Sequence, residues 1–463
     1  LYWRPGSVRD FPERIKCPAF LIGGWRDGYP NPPLRLYQAL VETFRRNVST
    51  DKRPPYKILI GPWNHAYPDA GIPGPRIDHL REVVRWLDYW CKGKDTGIMD
   101  EPPITVYMQH YQKPIVDRLD TLGEWRSEIG WPPPGATEKV LHLSENNSLS
   151  NQQPGEGSDS FEYNPTVGVA GGLWSGGIQF GLPGDQRPDE AYSLVYTTPP
   201  LEEDLYILGW PRAVLHISSS ASVIGFAASL CDVAPDGTSH LVAKGMLNAT
   251  RRGSLTNPQL LITNQIYELN IQIDCTAWKF AQGHRLRLSI ASADWPNVWP
   301  TPELATNHVY RGPGRPSRLV LPAVPAQGSA PAPEFRPSAK VLSPHSAAPQ
   351  PPTWEVTREV LTGRTMVRVR VPAEFRVNNS TVIQREWASA CQLDPRDPAH
   401  ASARGWHVCR VVKPNQVVQG RCEALLQSTA THFHLTIDLD VRTFGDMPHF
   451  TKRWVESIPR QML

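Results

Sequence analysis

Apolar residues near the start of the chain alternate between short continuous runs and helical spacing. Residues 17–25 (CPAFLIGGW) and 56–63 (YKILIGPW) are almost uninterrupted apolar runs, typical of strands that are covered on both faces in a parallel sheet. Between them, Asn31 is a predicted helix cap, followed by two prolines suited to a first helical turn. The spacing then favours a helix with the apolar stripe Leu34, Tyr37, Val41 and Phe44.

A second helix is predicted in residues 77–93 (IDHLREVVRWLDYWCKG), and Gly93 is its predicted end. Apolar side chains recur there at steps of three and four, which predicts an amphipathic helix that lies on the sheet. The predicted buried stripe is Ile77, Leu80, Val84, Leu87 and Cys91.

From about Pro102 the pattern changes to period two. Short segments such as ITVYM, AVLHI, FAASL and LRLSI are separated by turn-rich pieces such as APDGTS, which favours an antiparallel sandwich or jelly roll. A proline- and alanine-rich stretch then predicts an exposed linker, and TMVRVRV and FHLTIDLDV predict strands beyond it. The predicted fold class is α/β followed by all-β, with an α/β part in 1–100, a jelly roll in 101–325, a linker in 326–353 and a β-rich region in 354–463.

Composition narrows the range of partners. A formal net charge of +3 over 463 residues gives no electrostatic basis for binding nucleic acid or an acidic membrane surface, and no run of 18 apolar residues occurs. Seven scattered cysteines without CxxC spacing argue against structural zinc. Cys409 and Cys422 are a disulfide candidate if the protein is secreted, and the sequence leaves the compartment open.

Two similar stretches carry the candidate chemistry. Residues 23–29 read GGWRDGY and residues 61–67 read GPWNHAY, so that Asp27 and His65 each lie five residues past an isoleucine of a predicted strand. Because reactive groups collect beyond the carboxyl ends of parallel strands, both side chains should emerge at the same edge of the sheet. The shared glycine gives each strand a tight exit, and we expect the shared aromatic residues to exclude water.

An acid followed by a histidine at strand ends fits the order nucleophile, acid, histidine of α/β-hydrolases. A carboxylate holds the imidazole in the tautomer that can take a proton from a serine hydroxyl, so Asp27 would orient His65 and His65 would transfer the proton. Each residue alone could equally be an ordinary loop residue. A metal site formed by the two with Asp69 and His79 is a further alternative, without a compact ligand motif.

Trp25 and Trp63 follow the two strands directly and are candidates for a substrate pocket. Tryptophans in this position also serve as core residues. The sequence alone leaves both interpretations open.

The matched stretches, the WLDYWCKG helix and the jelly roll resemble the serine hydrolases that include X-Pro dipeptidyl-peptidases and cocaine esterase. Residues 194–221, 230–247 and 280–296 resemble the C-terminal jelly-roll domain of that family, and the closing FTKRWVESIPRQML resembles how many members end. The resemblance covers nearly the whole chain. It implies that residues 1–100 are the C-terminal part of an α/β-hydrolase domain, with Asp27 as the catalytic acid and His65 as the catalytic histidine.

The sequence departs from the family at the nucleophile. It contains no G-x-S-x-G; the glycines around Ser175 have the wrong spacing, and Ser7 precedes the first strand. We therefore expect the C-terminal part of a longer hydrolase, inactive by itself, with an unpaired strand edge and an uncovered helix face. The alternative is a non-enzymatic β-sandwich binding module with a vestigial hydrolase remnant.

The resemblance implies an ester or a peptide as the small-molecule substrate, cleaved by a Ser-Asp-His triad. No metal or organic cofactor is implied. The additional C-terminal β region is compatible with a homo-oligomer.

Overall fold

Two β-sheets organise the part of the chain that the structure describes, and three α-helices accompany the first sheet. The computed structural model describes residues 6–47, 52–173, 181–340, 351–443 and 446–463. Within these ranges no helix is long and apolar enough to cross a membrane. The α-helices are α1 (Asn31–Asn47), α2 (His79–Lys92) and α3 (Arg187–Glu190).

Seventeen strands are joined in a mixed sheet, and seven more form an antiparallel sheet. The strands of the mixed sheet are β1 (Ala19–Gly24), β2 (Tyr56–Gly61), β3 (Ile104–His110), β4 (Gly123–Glu128), β5 (Thr137–Ser144), β6 (Ser148–Ser150), β7 (Gly157–Glu162), β8 (Leu194–Thr197), β9 (Leu205–Gly209), β10 (Arg212–Ser219), β11 (Gly225–Val233), β12 (Ser239–Asn248), β13 (Tyr267–Gln272), β14 (Thr276–Phe280), β15 (Arg285–Ala291), β16 (Thr306–Arg311) and β17 (Arg318–Val324). The second sheet contains β18 (Thr353–Arg358), β19 (Thr365–Asn378), β20 (Thr381–Asp394), β21 (Asp397–Lys413), β22 (Gln416–Ser428), β23 (His432–Thr443) and β24 (Met447–Pro459). The predicted fold class, α/β followed by all-β, is confirmed.

The parallel part of the first sheet is short. β1 pairs in parallel with β2, and β2 pairs in parallel with β3. Among the described residues β1 has no other strand partner, and its side chains are half-buried where those of β2 are fully buried. The unpaired edge expected from the sequence is therefore present.

Helix α1 packs its predicted stripe on this sheet, with Leu34, Tyr37 and Val41 buried. Asn31 has a different role from the predicted cap. Its amide Oδ1 accepts hydrogen bonds from the backbone N–H of Cys275 (2.9 Å) and from Trp210 Nε1 (2.8 Å). The start of α1 is thus tied to the jelly roll.

Helix α2 ends at Gly93 in the left-handed conformation, as predicted. Ile77 of the predicted buried stripe is buried, but the prediction is wrong for the other four residues of the stripe. Leu80, Val84 and Leu87 are 59%, 54% and 49% exposed, while Glu82 and Trp86 are buried. Glu82 accepts a hydrogen bond from Arg85 at 2.6 Å, so an ion pair holds the polar face inward. The apolar side chains Leu80, Val84 and Leu87 of α2 therefore face solvent.

The central part of the chain is a β-sandwich of the predicted jelly-roll type. β11 pairs with β12 and β15, and β10 pairs with β13, β16 and β17, all antiparallel. Side chains from both groups, including Leu215, Ile217, Leu230 and Leu288, share one buried core. β14 joins this sandwich to β3 of the parallel part, so the two parts form one continuous sheet.

Part of the predicted linker lies against the body of the protein. Arg126 donates hydrogen bonds to the backbone carbonyls of Pro325 and Gln327, and Phe335 packs edge-on against Trp125 at 4.7 Å between ring centres. Lys340 pairs with Asp69 at 2.5 Å. Residues 341–350 of the predicted linker lie outside the described residues.

The second sheet is an antiparallel meander in which each strand pairs with the next in sequence. Val367, Leu393 and Ala401, at one end of the sheet, pack with Trp295 of the jelly roll in a small core. Cys409 and Cys422 are free thiols, so the disulfide considered from the sequence is absent.

Candidate active site

The register of β1 and β2 brings the two matched stretches together. Gly24 is directly opposite Gly61, so both strands end at the same level. The chain then continues the pairing, because the backbone N–H of Trp25 donates to Gly61 O (2.9 Å) and that of Arg26 donates to Trp63 O (3.0 Å). Backbone hydrogen bonds therefore join the two loops at residues that lie just before Asp27 and His65.

Asp27 and His65 are hydrogen-bonded to each other. His65 Nδ1 lies 3.1 Å from Asp27 Oδ1 and 3.0 Å from Asp27 Oδ2. Since a carboxylate can only accept, Nδ1 carries the proton and Nε2 keeps its lone pair. The backbone N–H of Tyr29 donates to Asp27 Oδ1 at 2.8 Å, which holds the carboxylate in place.

The surroundings of the pair are more open than the sequence analysis expected. The side chain of His65 is 56% exposed and that of Asp27 is 16% exposed. Tyr29 packs its ring edge against His65 at 5.8 Å, but Tyr29 and Tyr67 are themselves exposed. The expectation that the aromatic residues exclude water is therefore wrong for the tyrosines.

The two tryptophans occupy different positions. Trp25 is buried, donates from Nε1 to Tyr107 O (2.8 Å), and lines a cavity beside Asp27. Trp63 is also buried, donates from Nε1 to Pro75 O (2.7 Å), and packs with Leu59 and Ile77 in a separate core. Trp63 is not among the residues that line this cavity.

The cavity has a volume of about 600 Å³ and lies between the α/β part and the jelly roll. Trp25, Asp27 and Pro30 line it on one side. Residues 241–246 of β12 and the acids Asp274 and Asp294 line it on the other. A cavity of this volume has room for a small organic molecule.

Arg26, next to the candidate acid, ties the acid loop to the jelly roll. Its guanidinium donates to Leu241 O (3.3 Å) and lies 3.3 Å from His240 Nε2. His240 Nδ1 lies 2.8 Å from Gln112 O, so Nδ1 carries the proton and Nε2 accepts from Arg26. Burial lowers the pKa of His240 well below 6.5, with the Arg26 charge as a further cause, which keeps this acceptor neutral. No sequence motif signals this contact, because the partners are more than 200 residues apart.

Family models match two regions of the chain, one in the α/β part and one in the jelly roll. Residues 1–67 match the family model of X-Pro dipeptidyl-peptidase, and residues 96–320 match that of the X-Pro dipeptidyl-peptidase C-terminal non-catalytic domain. Cocaine esterase of Rhodococcus sp. is 26% identical over 365 residues, which cover 70% of this chain and 59% of that protein. The chain belongs to the X-Pro dipeptidyl-peptidase and cocaine esterase family.

Other relatives give the same family and define the extent of the match. A Mycobacterium bovis relative is 30% identical over 337 residues, covering 66% of this chain and 50% of that protein. An α-amino acid ester hydrolase structure shares the fold, with a TM-score of 0.56 and 22% identity over 70% of this chain and 58% of that one. The chain thus spans about half the length of the curated relatives it matches.

The alternative metal site would also use Asp69 and His79 as ligands. In this family member His79 Nδ1 lies 3.6 Å from Asp69 Oδ1, both side chains are buried, and Tyr67 stacks on the His79 ring. Among the described residues no group of three or more histidine, cysteine, aspartate or glutamate side chains is arranged to hold a metal ion. Asp69 pairs with Lys340 as well as with His79.

Of the two serines considered as nucleophiles, Ser7 lies among the described residues. Ser7 lies before β1, where its Oγ accepts from the backbone N–H of Arg9 at 3.2 Å at the start of a short 3-10 helix. Ser175 lies outside the described residues.

A buried aspartate supports the loop at the far wall of the cavity. Asp189 in α3 accepts a hydrogen bond from the backbone N–H of Ala170 at 2.8 Å, and the adjacent Gly171 and Gly172 line the cavity. Burial raises the pKa of Asp189 to about 6, and these backbone hydrogen bonds only partly oppose the shift. A carboxyl group with a pKa of about 6 therefore lies behind this wall of the cavity.

We predict that Gly24→Ala destabilises the protein. A Cβ at this position would clash with the backbone carbonyl of Trp63, so the two loops would have to separate. Overpacking of this kind costs about 1–3 kcal/mol of unfolding free energy, measurable by urea denaturation. Gly130→Ala is the control because its Cβ would meet no atom within 4 Å. Equal stability of the two variants would contradict the proposed clash.

We also predict a pH-dependent effect of Asp189→Asn. The folded-state pKa of about 6 lies above the ordinary value of 3.8, so proton binding stabilises the fold at low pH and this contribution is lost as pH rises through 6. The unfolding free energy of the variant relative to the wild type should therefore increase between about pH 4 and pH 6, by on the order of 3 kcal/mol.

Asp185→Asn is the matched control in the same segment. Burial opposes ionisation of Asp185 as well, but hydrogen bonds from Arg187 outweigh it and lower its pKa. The relative unfolding free energy of this variant should change with pH in the opposite direction. Parallel curves for both variants in urea titrations across the pH range would contradict the assignment.

Proposed function

We propose that this chain provides the acid and the base of a serine hydrolase that cleaves an ester or amide bond. The observation that carries the proposal is the hydrogen bond between His65 Nδ1 and the Asp27 carboxylate at the edge of a cavity of about 600 Å³. Family membership supports the reaction class, because cocaine esterase and the X-Pro dipeptidyl-peptidases are named for hydrolytic reactions.

Asp27 orients the imidazole, and His65 transfers the proton. With Nδ1–H bound to the carboxylate, the Nε2 lone pair can accept a proton from a hydroxyl placed beside it. The imidazolium that forms is stabilised by the adjacent Asp27 charge, and it returns the proton to the leaving group. The first proton transfer needs the His65 tautomer that the hydrogen bond with Asp27 selects.

The nucleophilic serine and the oxyanion donors are proposed to come from sequence beyond these 463 residues. The chain contains no G-x-S-x-G, and an acid–base pair without a nucleophile cannot form an acyl-enzyme. The exposure of His65 and of the α2 stripe is consistent with a missing covering part. By itself this chain should therefore be inactive.

The cavity accounts for the substrate class. Its walls combine apolar contacts from Trp25 and Leu241 with the carboxylate of Asp274, whose pKa is raised by burial. Apolar walls with a few polar groups suit a compact acyl group or a dipeptide. The substrate is accordingly proposed to be a small ester or a short peptide.

The test uses the protein expressed with the sequence that precedes Leu1 in its gene. We expect this protein to react with a fluorophosphonate probe and to hydrolyse a p-nitrophenyl ester, while residues 1–463 alone do neither. His65→Ala should lower kcat/KM by roughly 10³-fold or more, because the general base is lost.

His400→Ala is the control for this substitution. His400 Nδ1 lies 2.8 Å from Asp397, so it forms an exposed histidine–aspartate pair of the same kind on the second sheet. Its loss should leave kcat/KM unchanged. An unlabelled longer protein would favour the non-enzymatic binding module, and equal activity of His65→Ala and wild type would disprove the acid–base assignment.

A further inference from the structure

The second sheet has one apolar face and one polar face along most of its area. The inter-strand register places Val371, Trp387, Cys409, Cys422, Ile437 and Trp454 on the same face, one residue from each of six successive strands. The other face carries ion pairs between neighbouring strands, including Arg370 with Glu386, Arg404 with Glu423 and Arg453 with Asp438. Charged pairs of this kind suit contact with water, whereas the apolar face does not.

Among the residues that the structure describes, the apolar face is covered only where it meets the body of the protein. There Val367, Leu393 and Ala401 are at most 2% exposed beneath Trp295. Further along the same face, away from the jelly roll, Phe375 is 43% exposed and Phe450 is 47% exposed. Apolar side chains therefore continue along this face beyond the residues that the jelly roll covers.

The uncovered part is large enough for a stable contact. About eight residues of each of six strands extend beyond the covered end, and at about 3.3 Å per residue and 4.8 Å per strand they span about 750 Å². This approaches the roughly 800 Å² that each partner contributes to a standard protein–protein interface. Apolar faces of twisted sheets pack on one another at about 10 Å, as in a β-sandwich.

Charge on this face permits contact with a second copy of itself. Arg385 lies over the Phe375 ring at 5.5 Å, and Lys452 lies over the Trp454 ring at 4.8 Å, so both cations already have aromatic partners. Glu456 adds a negative charge on the edge strand β24. A two-fold contact would therefore bring together two nearly neutral apolar surfaces.

We propose that the uncovered apolar face of the second sheet is a homodimer interface, in which two copies pack their sheets face to face around a two-fold axis. This inference is independent of the proposed hydrolase activity. Its test is the mass of the 463-residue chain in solution, by light scattering and sedimentation over about 1–100 µM, the range in which interfaces of this size associate. The wild-type chain should have twice the monomer mass of 51.8 kDa.

Two neighbouring positions of β23 give a matched pair of variants. Ile437 belongs to the apolar face and Thr436 to the polar face. Ile437→Lys should give monomers, because it places a charge in the interface, and Thr436→Lys should remain dimeric. Circular dichroism is the folding control: both variants should give the same spectrum as the wild type.

Thiol labelling of the wild-type protein provides a second measurement that needs no substitution. Cys409 and Cys422 lie on the apolar face, and Cys17 is exposed elsewhere. Maleimide labelling of the first two should slow as protein concentration rises, while that of Cys17 stays constant.

A monomer at all concentrations, or labelling that does not depend on concentration, would overturn the proposal. So would a dimer that persists in Ile437→Lys, since its contact would lie elsewhere, as on the α2 stripe or along the edge of β24.

Discussion

The candidate site depends on the in-register parallel pairing of β1 with β2. Because Gly24 is opposite Gly61, the chain leaves both strands at one level, and the hydrogen bond between Arg26 and the Trp63 carbonyl closes the gap between the loops. Both glycines are required because Trp63 fills the space beside them: a Cβ on Gly61 would lie 2.5 Å from the Trp63 ring, and a Cβ on Gly24 would clash with the Trp63 backbone carbonyl. Tight packing at this point is what holds an imidazole within hydrogen-bond distance of a carboxylate.

The jelly roll contributes to the site although it provides neither Asp27 nor His65. Arg26 and Asn31, on either side of the Asp27 loop, both bind backbone or side-chain groups of the jelly roll. The charge of Arg26 persists at neutral pH, since burial lowers its pKa only to about 10. A half-buried cation that donates to backbone carbonyls fixes one domain on the other more specifically than apolar contact alone would.

Three features of the chain lack cover among the described residues: the first exposes unpaired backbone groups, and the other two expose apolar side chains. The edge of β1, the stripe of α2 and the distal face of the second sheet all expose groups that folded proteins usually bury. For the first two, we propose that a further part of a hydrolase domain provides the cover. The third lies on a different region of the chain, where a second copy has the required shape and charge.

The sequence by itself determined the fold class and the proximity of Asp27 to His65, because continuous apolar runs and strand-end positions depend on local pattern alone. It also placed Gly93 at the end of α2 and the stripe of α1. It could not determine which face of α2 is buried: the periodicity of Leu80, Val84 and Leu87 is the same whether a partner covers them or not, and the ion pair of Glu82 with Arg85 decided the outcome. Likewise the contact of Arg26 with His240, the separate packing of Trp25 and Trp63, and the cavity between the domains depend on residues distant in sequence. Only the tertiary structure brings those residues together, since their contacts arise from domain packing and leave no periodic signal in the chain.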